Sequence, residues 1–240
     1  MGKNPSLDIV IPVYNEAKDL KKSIDTLSRY LVGNLHDFTW NIVIADNAST
    51  DDTLAIACDI SRKIKHVKVV HLDLKGRGRA VKYAWQHSQA DIVSYMDVDL
   101  STDLKHFPAL VRSLLRGYDI AIGSRNTKGA RVYGRNLMRT ATSKGYILLI
   151  KLLFWIHFTD AQCGFKAVTR RVVDTLVPKV VDNEWFFDTE LLLVAEKMGY
   201  RIYNEPVTWI DNPGSTVRVL STIKGDLLGL KRLFFTHPWE

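Results

Sequence analysis

An α/β fold built on a mostly parallel sheet is what this sequence predicts, and three observations carry the expectation. The 240 residues are 46% hydrophobic and 25% charged, the composition of an ordinary soluble domain. Short apolar runs alternate with stretches of helical period through the first half. The apolar runs are followed by polar, often acidic clusters, where ligands gather at the carboxyl ends of parallel strands.

In chain order, Leu7 to Tyr14 reads as the first strand. Residues 17 to 32 follow as a helix, with Leu20, Ile24, Leu27 and Leu31 one turn apart. Trp40 to Ala45, His66 to Leu72, Asp91 to Met96 and Tyr118 to Ile122 are the next strands, separated by helices at 51 to 63, 77 to 89 and 103 to 116. Such repetition implies a sheet covered by helices on both faces. The second half differs: a basic stretch of helical period, the segment Asp160 to Lys166, a helix near 187 to 199, two short strands around Arg201 to Ile210, and an amphipathic helix from about Thr216. With no internal repeat or low-complexity linker, residues 1–240 are expected to form one domain, with halves 1–124 and 125–240.

The net charge is +7 and the pI about 9.3. The excess is local: residues 120 to 159 hold Arg125, Lys128, Arg131, Arg135, Arg139, Lys144 and Lys151 and no acid, while the rest of the chain balances. Cys58 and Cys163 are too few for a disulfide framework and lack partners at zinc-ligand spacing, so a reducing compartment is expected. The N-terminal residues contain no apolar leader. The longest apolar run, Tyr146 to Phe158, is interrupted by Lys151 and too short to span a bilayer.

Asp97-Val98-Asp99 follows the strand Ile92 to Met96, and residues i and i+2 of an extended segment point the same way. Two hard oxygen donors there suit Mg²⁺ or Mn²⁺, which would hold a diphosphate; the plain alternative is a solvated turn. Asp46 and Asn47 close the second strand, where a carboxylate and an amide can meet a nucleobase and ribose. Ser49-Thr50-Asp51-Asp52 after them has the form of a capping box. Lys75-Gly76-Arg77-Gly78-Arg79 follows a strand and opens a helix, so bare N–H groups, the helix dipole and three cations point to an anion site; the plain alternative is that the glycines only permit a tight turn. Val81 occupies the third glycine position of a dinucleotide fingerprint, and no Gly-Lys-Ser/Thr ending makes a P-loop. Asp188 reads as a functional acid or as an N-cap to the helix Leu191 to Met198.

Pro12 to Glu16, Ala45 to Thr53, Lys75 to Gly78, Asp97 to Asp99, Gly123 to Arg125, Asp160 to Lys166 and Trp185 to Leu192 occur in that order, across roughly residues 7 to 235. The ordered set resembles the family 2 inverting glycosyltransferases of GT-A fold, and within them the dolichyl-phosphate glucosyltransferase and polyprenyl-phosphate glycosyltransferase group. The Gln162 to Lys166 and Trp185 to Leu192 segments are more similar to the glucosyl branch than to the mannosyl one. The resemblance implies a Rossmann-like sheet with C-terminal amphipathic helices, residues 1–124 serving the nucleotide sugar and 125–240 the acceptor. It places Pro12, Tyr14, Glu16 and Asp46, with Asn47 beside it, at the nucleoside, Lys75 at the diphosphate, and Asp97 and Asp99 at the metal and sugar nucleotide. Arg125, Asp160, Gln162 and Lys166 fall near the acceptor phosphate and the transferred sugar, with Asp188 a second acid. The sequence departs from eukaryotic members in showing no N-terminal membrane anchor and in reading D-V-D-L-S-T-D after the metal strand.

The implied reaction is transfer of a hexose, glucose from UDP-glucose foremost, to a polyprenyl phosphate with inversion. Mannosyl transfer from GDP-mannose is the alternative, and an NAD-dependent Rossmann enzyme the more distant one. A phosphomonoester with a second pKa of about 6 is already largely dianionic at neutral pH, so no strong general base is needed. The basic stretch would be drawn to an anionic membrane surface, each cation contributing on the order of 1 kcal/mol. Phe154 and Trp155, with Leu227, Leu228, Leu230, Leu233 and Phe234 of the last helix, would lie in the interface; the plain alternative is that both helices pack on the sheet. The expected location is therefore cytoplasmic, peripheral on the inner face of a membrane. Nucleic acid is not an expected partner: no recognition motif is present, and strand-end carboxylates repel phosphate.

Overall fold

The computed structural model describes residues 4–135, 137–211 and 219–240. Seven strands form one sheet in the order β3-β2-β1-β4-β7-β5-β8. They are β1 (Ser6–Val13), β2 (Thr39–Asn47), β3 (Val67–Leu72), β4 (Ile92–Met96), β5 (Ile120–Ser124), β7 (Phe165–Thr169) and β8 (Ile202–Pro206). All are parallel except β7, which runs antiparallel between β4 and β5. A two-stranded ribbon pairs β6 (Arg131–Tyr133) with β9 (Thr208–Ile210).

The helices α1 (Leu20–Asn34), α2 (Thr53–Lys63) and α4 (Phe107–Leu115) bury residues such as Leu27, Ile60 and Leu110 in one core layer. There they join Ile9, Ile42 and Phe165 of the sheet. The other layer joins Val10, Tyr95 and Ile122 to residues of α3 (Arg77–His87), α5 (Leu137–Phe154), α6 (Arg170–Thr175), α7 (Phe187–Lys197) and α8 (Val219–Thr236). Neighbouring strand residues, Ile9 and Val10 for example, belong to opposite layers, as the two-residue period of a strand requires.

The alternation expected for the first half is present with ends moved by a few residues; the last strand of that half is Ile120–Ser124, and a single 3₁₀ turn, Leu104–His106, precedes α4. The second half departs further. Asp160 to Lys166 leads into a central strand, so the sheet is mixed, and the start of the basic stretch supplies β6 rather than helix. Thr216, the expected start of the last helix, lies outside the described residues.

This topology positions the site. The chain leaves β1 toward β2 and β3, then returns to the other side of β1 as β4, creating a switch point between β1 and β4. Because β7 is antiparallel, its beginning lies at the carboxyl edge of the others: Met96 pairs with Phe165, and the Asp97 N–H donates to the Gly164 carbonyl at 3.2 Å. The Asp160 to Gly164 loop is thereby delivered beside Asp97.

Candidate active site

At the β1 end, Asn15 takes φ +57°, a left-handed conformation that Asn tolerates better than most residues. Its N–H donates to Ser49 Oγ at 3.0 Å, and its Oδ1 accepts from the Thr50 N–H at 2.8 Å. Ser49 therefore ties two strand ends together and does not form the expected capping box; Asp51 receives the Thr53 N–H instead, at 3.0 Å. Tyr14 lies under the Lys75 ammonium, 3.5 Å from the ring centre. Pro12 pairs with Ala45 within the sheet. Burial raises the pKa of Glu16, and Asp19, Asp99, Asp51 and Asp97 add to the rise, so this carboxyl shares the field of the D-x-D pair.

Asp46 is fully buried. Its Oδ2 meets His71 Nδ1 at 2.7 Å and its Oδ1 has no hydrogen-bond partner. Asn47 Oδ1 accepts the Gly76 N–H at 2.7 Å. The Lys75 to Arg79 segment is consequently not the open anion cradle that its glycines suggest. The Arg79 N–H donates to the Asn183 carbonyl at 2.9 Å, and a Cβ at Gly78 would come within 2.9 Å of the Glu184 carbonyl oxygen. The loop before α7 occupies the space, and the glycines permit that close approach. Arg77 turns inward, leaving Lys75 beside Tyr14.

Asp97 and Asp99 line one shallow polar pocket with Ser101 and Gly164. They sit in a turn, closed by the Leu100 N–H on the Asp97 carbonyl at 3.2 Å, and not in the extended segment that the spacing suggested. Burial raises the Asp99 pKa and the Asp97 charge adds to it, against the Ser101 hydrogen bonds that lower it. Two hard oxygen donors fit Mg²⁺ or Mn²⁺ in a partial coordination shell that needs further ligands from outside this pair.

Beneath this pocket lies a buried ionic cluster. Asp188, in the first turn of α7, accepts from Arg77 at 2.7 Å and from Lys166 at 2.8 Å, with the Tyr95 hydroxyl as a third donor. It is not an N-cap. Burial alone would raise its pKa, but Lys166 and Arg77 hold it below the ordinary carboxylate value. The Lys166 side chain is 0% exposed, so its ammonium meets Asp188, Tyr95 and the Cys163 carbonyl, not the cleft. Beside it, Arg125 pairs with Asp160 through Nε at 2.7 Å and a second nitrogen at 2.9 Å. The pKa of Asp160 is lowered by that arginine against the opposing effect of burial. Gln162 donates its N–H to Asp160 at 3.2 Å and its side-chain amide to Asp226 of α8 at 2.7 Å.

Tyr95, Arg135, Trp209 and Asp226 border the candidate site although no motif points to them, and Arg77, one of the three cations expected at the anion site, turns instead to Asp97 and Asp188. In the sequence Asp226 shows only as a lone acid in an apolar helix. The Arg135 guanidinium stacks on Trp209, 5.7 Å from the ring centre, and has no carboxylate partner among the described residues. Strand β9, which carries Trp209, bonds to the D-x-D loop: the Ile210 N–H donates to the Ser101 carbonyl at 2.9 Å. The carboxylate pocket and the arginine group thus lie on one continuous wall.

A Rossmann-like sheet with a D-x-D turn at the β1/β4 switch point is the layout of a GT-A glycosyltransferase. The model of glycosyl transferase family 2 matches residues 8–177, and the chain belongs to that family. Glycosyltransferase AglD of Haloferax volcanii is 33% identical over 236 residues, which cover 98% of this chain and 37% of that protein. This chain therefore spans little more than a third of that relative. Dolichyl-phosphate beta-glucosyltransferases are similar over more of their own length: ALG5A of Trichomonas vaginalis at 30% identity, covering 98% of this chain and 75% of the relative, and the Mus musculus protein at 29%, covering 98% and 77%. Among solved structures, glucosyl-3-phosphoglycerate synthase of Mycobacterium tuberculosis, in complex with Mn²⁺, UDP-glucose and phosphoglyceric acid, has a TM-score of 0.69 at 18% identity, covering 96% of this chain and 79% of that one. That likeness is one of fold.

Proposed function

We propose that the protein transfers glucose from UDP-glucose to a polyprenyl phosphate of dolichyl type, with inversion at the anomeric carbon. The observation that carries the reading is the wall just described, where the Asp97–Asp99 pocket adjoins Arg135, a half-buried guanidinium without a carboxylate partner among the described residues. A cation-binding pair suits a nucleoside diphosphate, and an uncommitted arginine beside it suits a second phosphate. The names of the dolichyl-phosphate glucosyltransferase relatives support glucose as the sugar and a dolichyl-type phosphate as the acceptor.

In this reading Asp97 and Asp99 hold Mg²⁺ or Mn²⁺, which offsets charge developing on the leaving diphosphate. Pro12, Tyr14, Glu16 and Asp46 form the nucleoside end, with Asn47 fixing the Gly76 backbone beside it. Asp46 Oδ1 is left to accept a nucleobase N–H, and its burial means that a nucleoside must displace a neighbour to reach it. Lys75 leaves Tyr14 for the diphosphate. Arg135 receives the acceptor phosphate, whose dianion attacks the anomeric carbon without a base. The Arg125–Asp160 pair fixes the loop that carries Gln162, while Asp188 and Lys166 support the floor from below.

No described helix is long and apolar enough to cross a membrane. Of the side chains expected at the interface, Phe154, Leu230 and Leu233 are buried in the core, but Leu148 and Leu152 of α5, Trp155 just after it, and Leu227, Leu228, Phe234 and Phe235 of α8 are exposed, Leu152 by 70% and Trp155 by 84%, among the exposed cations Lys144, Lys151, Lys224 and Lys231. That mixture suits an anionic membrane surface carrying the prenyl chain. The test is an assay with a panel of UDP- and GDP-sugars, Mg²⁺ or Mn²⁺ and a short polyprenyl phosphate, scored by the mass of the lipid product. UDP-glucose is expected to give hexosyl lipid, and Asp99→Ala none; folded protein inactive with every donor overturns the proposal.

A further inference from the structure

Arg77, a side chain held on several sides at the candidate site, has no task in the proposed reaction. The Arg77 guanidinium lies 2.7 Å from Asp97 Oδ1 and 2.7 Å from Asp188 Oδ2. It sits between the rings of Tyr95 and Trp185, its Cζ 4.9 Å from each centre. An arginine side chain does not lose its proton in a protein, so a fixed positive charge stands against Asp97. On its other side the Asp97 carboxylate packs directly against Gly164, where there is no room for a Cβ. Asp99 in turn accepts from the Ser101 N–H at 3.0 Å and from its Oγ at 2.6 Å.

Both carboxylates of the pocket are thus engaged already, and among the described residues no group of three or more His, Cys, Asp or Glu side chains converges on a metal position. A bare divalent cation arriving here would find two ligands, one neutralised by a guanidinium in contact with it, and that guanidinium would repel it. A diphosphate brings further oxygens and negative charge, which reverse the balance. Arg77 does not simply swing away, since Asp188 anchors its second nitrogen.

We propose that Arg77 is a positioning residue which holds and neutralises Asp97 in the donor-free protein, so that the divalent cation is captured with the donor diphosphate and not ahead of it. The inference rests on Asp97 and Asp99 being the cation ligands. It is tested by titrating Mn²⁺ into wild type, Arg77→Gln and Arg77→Lys, with and without UDP, and following free Mn²⁺ by electron paramagnetic resonance. In wild type, UDP is expected to tighten Mn²⁺ binding at least about tenfold; Arg77→Gln should bind Mn²⁺ alone at least about tenfold tighter than wild type, because a contacting like charge is gone. Arg77→Lys keeps a cation and should stay near wild type. Equal Mn²⁺ affinity of Arg77→Gln and wild type without UDP overturns the inference. Equal wild-type affinity with and without UDP also overturns it, and that arm still decides if Arg77→Gln fails to fold. No Mn²⁺ uptake by any folded variant, even with UDP, overturns the assignment of the cation site itself.

Discussion

Asp188→Asn preserves the shape of the first turn of α7 and removes one negative charge from beneath the cleft. The carboxylate side chain is 3% exposed and binds Lys166, which is 0% exposed, and Arg77, which is 10% exposed. Arg77 keeps Asp97 as a counter-ion, but the Lys166 ammonium is left with the Tyr95 hydroxyl and a carbonyl. Removing one partner of such a buried pair costs about 3–5 kcal/mol, and the retained amide oxygen places Asn at the lower end. For a chain of this size about 3 kcal/mol corresponds to roughly 6–12 °C in Tm. Adding Lys166→Met restores charge balance with a side chain of similar length, so the double variant should regain at least about 1 kcal/mol over Asp188→Asn. Urea unfolding followed by tryptophan fluorescence measures both changes. An Asp188→Asn protein within about 0.5 kcal/mol of wild type, the range of an ordinary surface change, would refute the reasoning. So would a double variant less stable than the single one.

Three other perturbations give separable outcomes. Gly164→Ala drives a methyl into Asp97 and should abolish cation-dependent UDP binding, whereas Gly145→Ala, in helix α5 with nothing within 4 Å, should raise stability by about 1 kcal/mol; calorimetry and thermal melts distinguish the two. Burial pushes the Asp226 carboxyl up to about 6 from its ordinary 3.8, so its contribution to stability is complete below about pH 4 and is lost as pH rises through about 6. Asp226→Asn should remove that decline and unfold at higher urea than wild type at pH 7.5. Leu152→Glu with Trp155→Glu should lower co-sedimentation with anionic vesicles while leaving the melting temperature near wild type, since both side chains are largely exposed.

How far the molecule was legible in its sequence follows from which interactions are local. Strands β1 to β5 announce themselves by apolar runs, and Asp97 and Asp99 by their place after one. Strand β7 was hidden because Phe165–Thr169 carries a lysine at its second position, and a buried lysine argues against a central strand. The charge is tolerable only because Asp188, distant in sequence, meets it across the core. The Lys75 to Arg79 segment shows the converse. Its pattern fits an anion loop and a tight backbone contact equally well, and the Asn183 carbonyl, remote in the chain, decides between them. Local pattern thus located the edge of the sheet where chemistry gathers, while the partners that set each charge to work lay beyond its reach.

The basic stretch carries the same lesson into the membrane question. Acid-free in sequence is not uncompensated in space: Arg125 is buried against Asp160, and Arg139 meets Asp211 at 3.2 Å. Arg135 lies half buried on Trp209, which leaves Lys128, Arg131, Lys144 and Lys151 as the exposed cations of the segment. Attraction by these four is screened over roughly 8 Å at physiological ionic strength, so it can orient the protein at an anionic surface more readily than it can hold it there. In the proposed attachment, retention would fall to exposed apolar side chains such as Leu152, Trp155 and Phe235, because apolar burial in lipid does not weaken with salt. A protein bound to anionic vesicles should accordingly resist a salt wash better than the charge of its sequence suggests. Complete release by salt alone would return the segment to a purely electrostatic role.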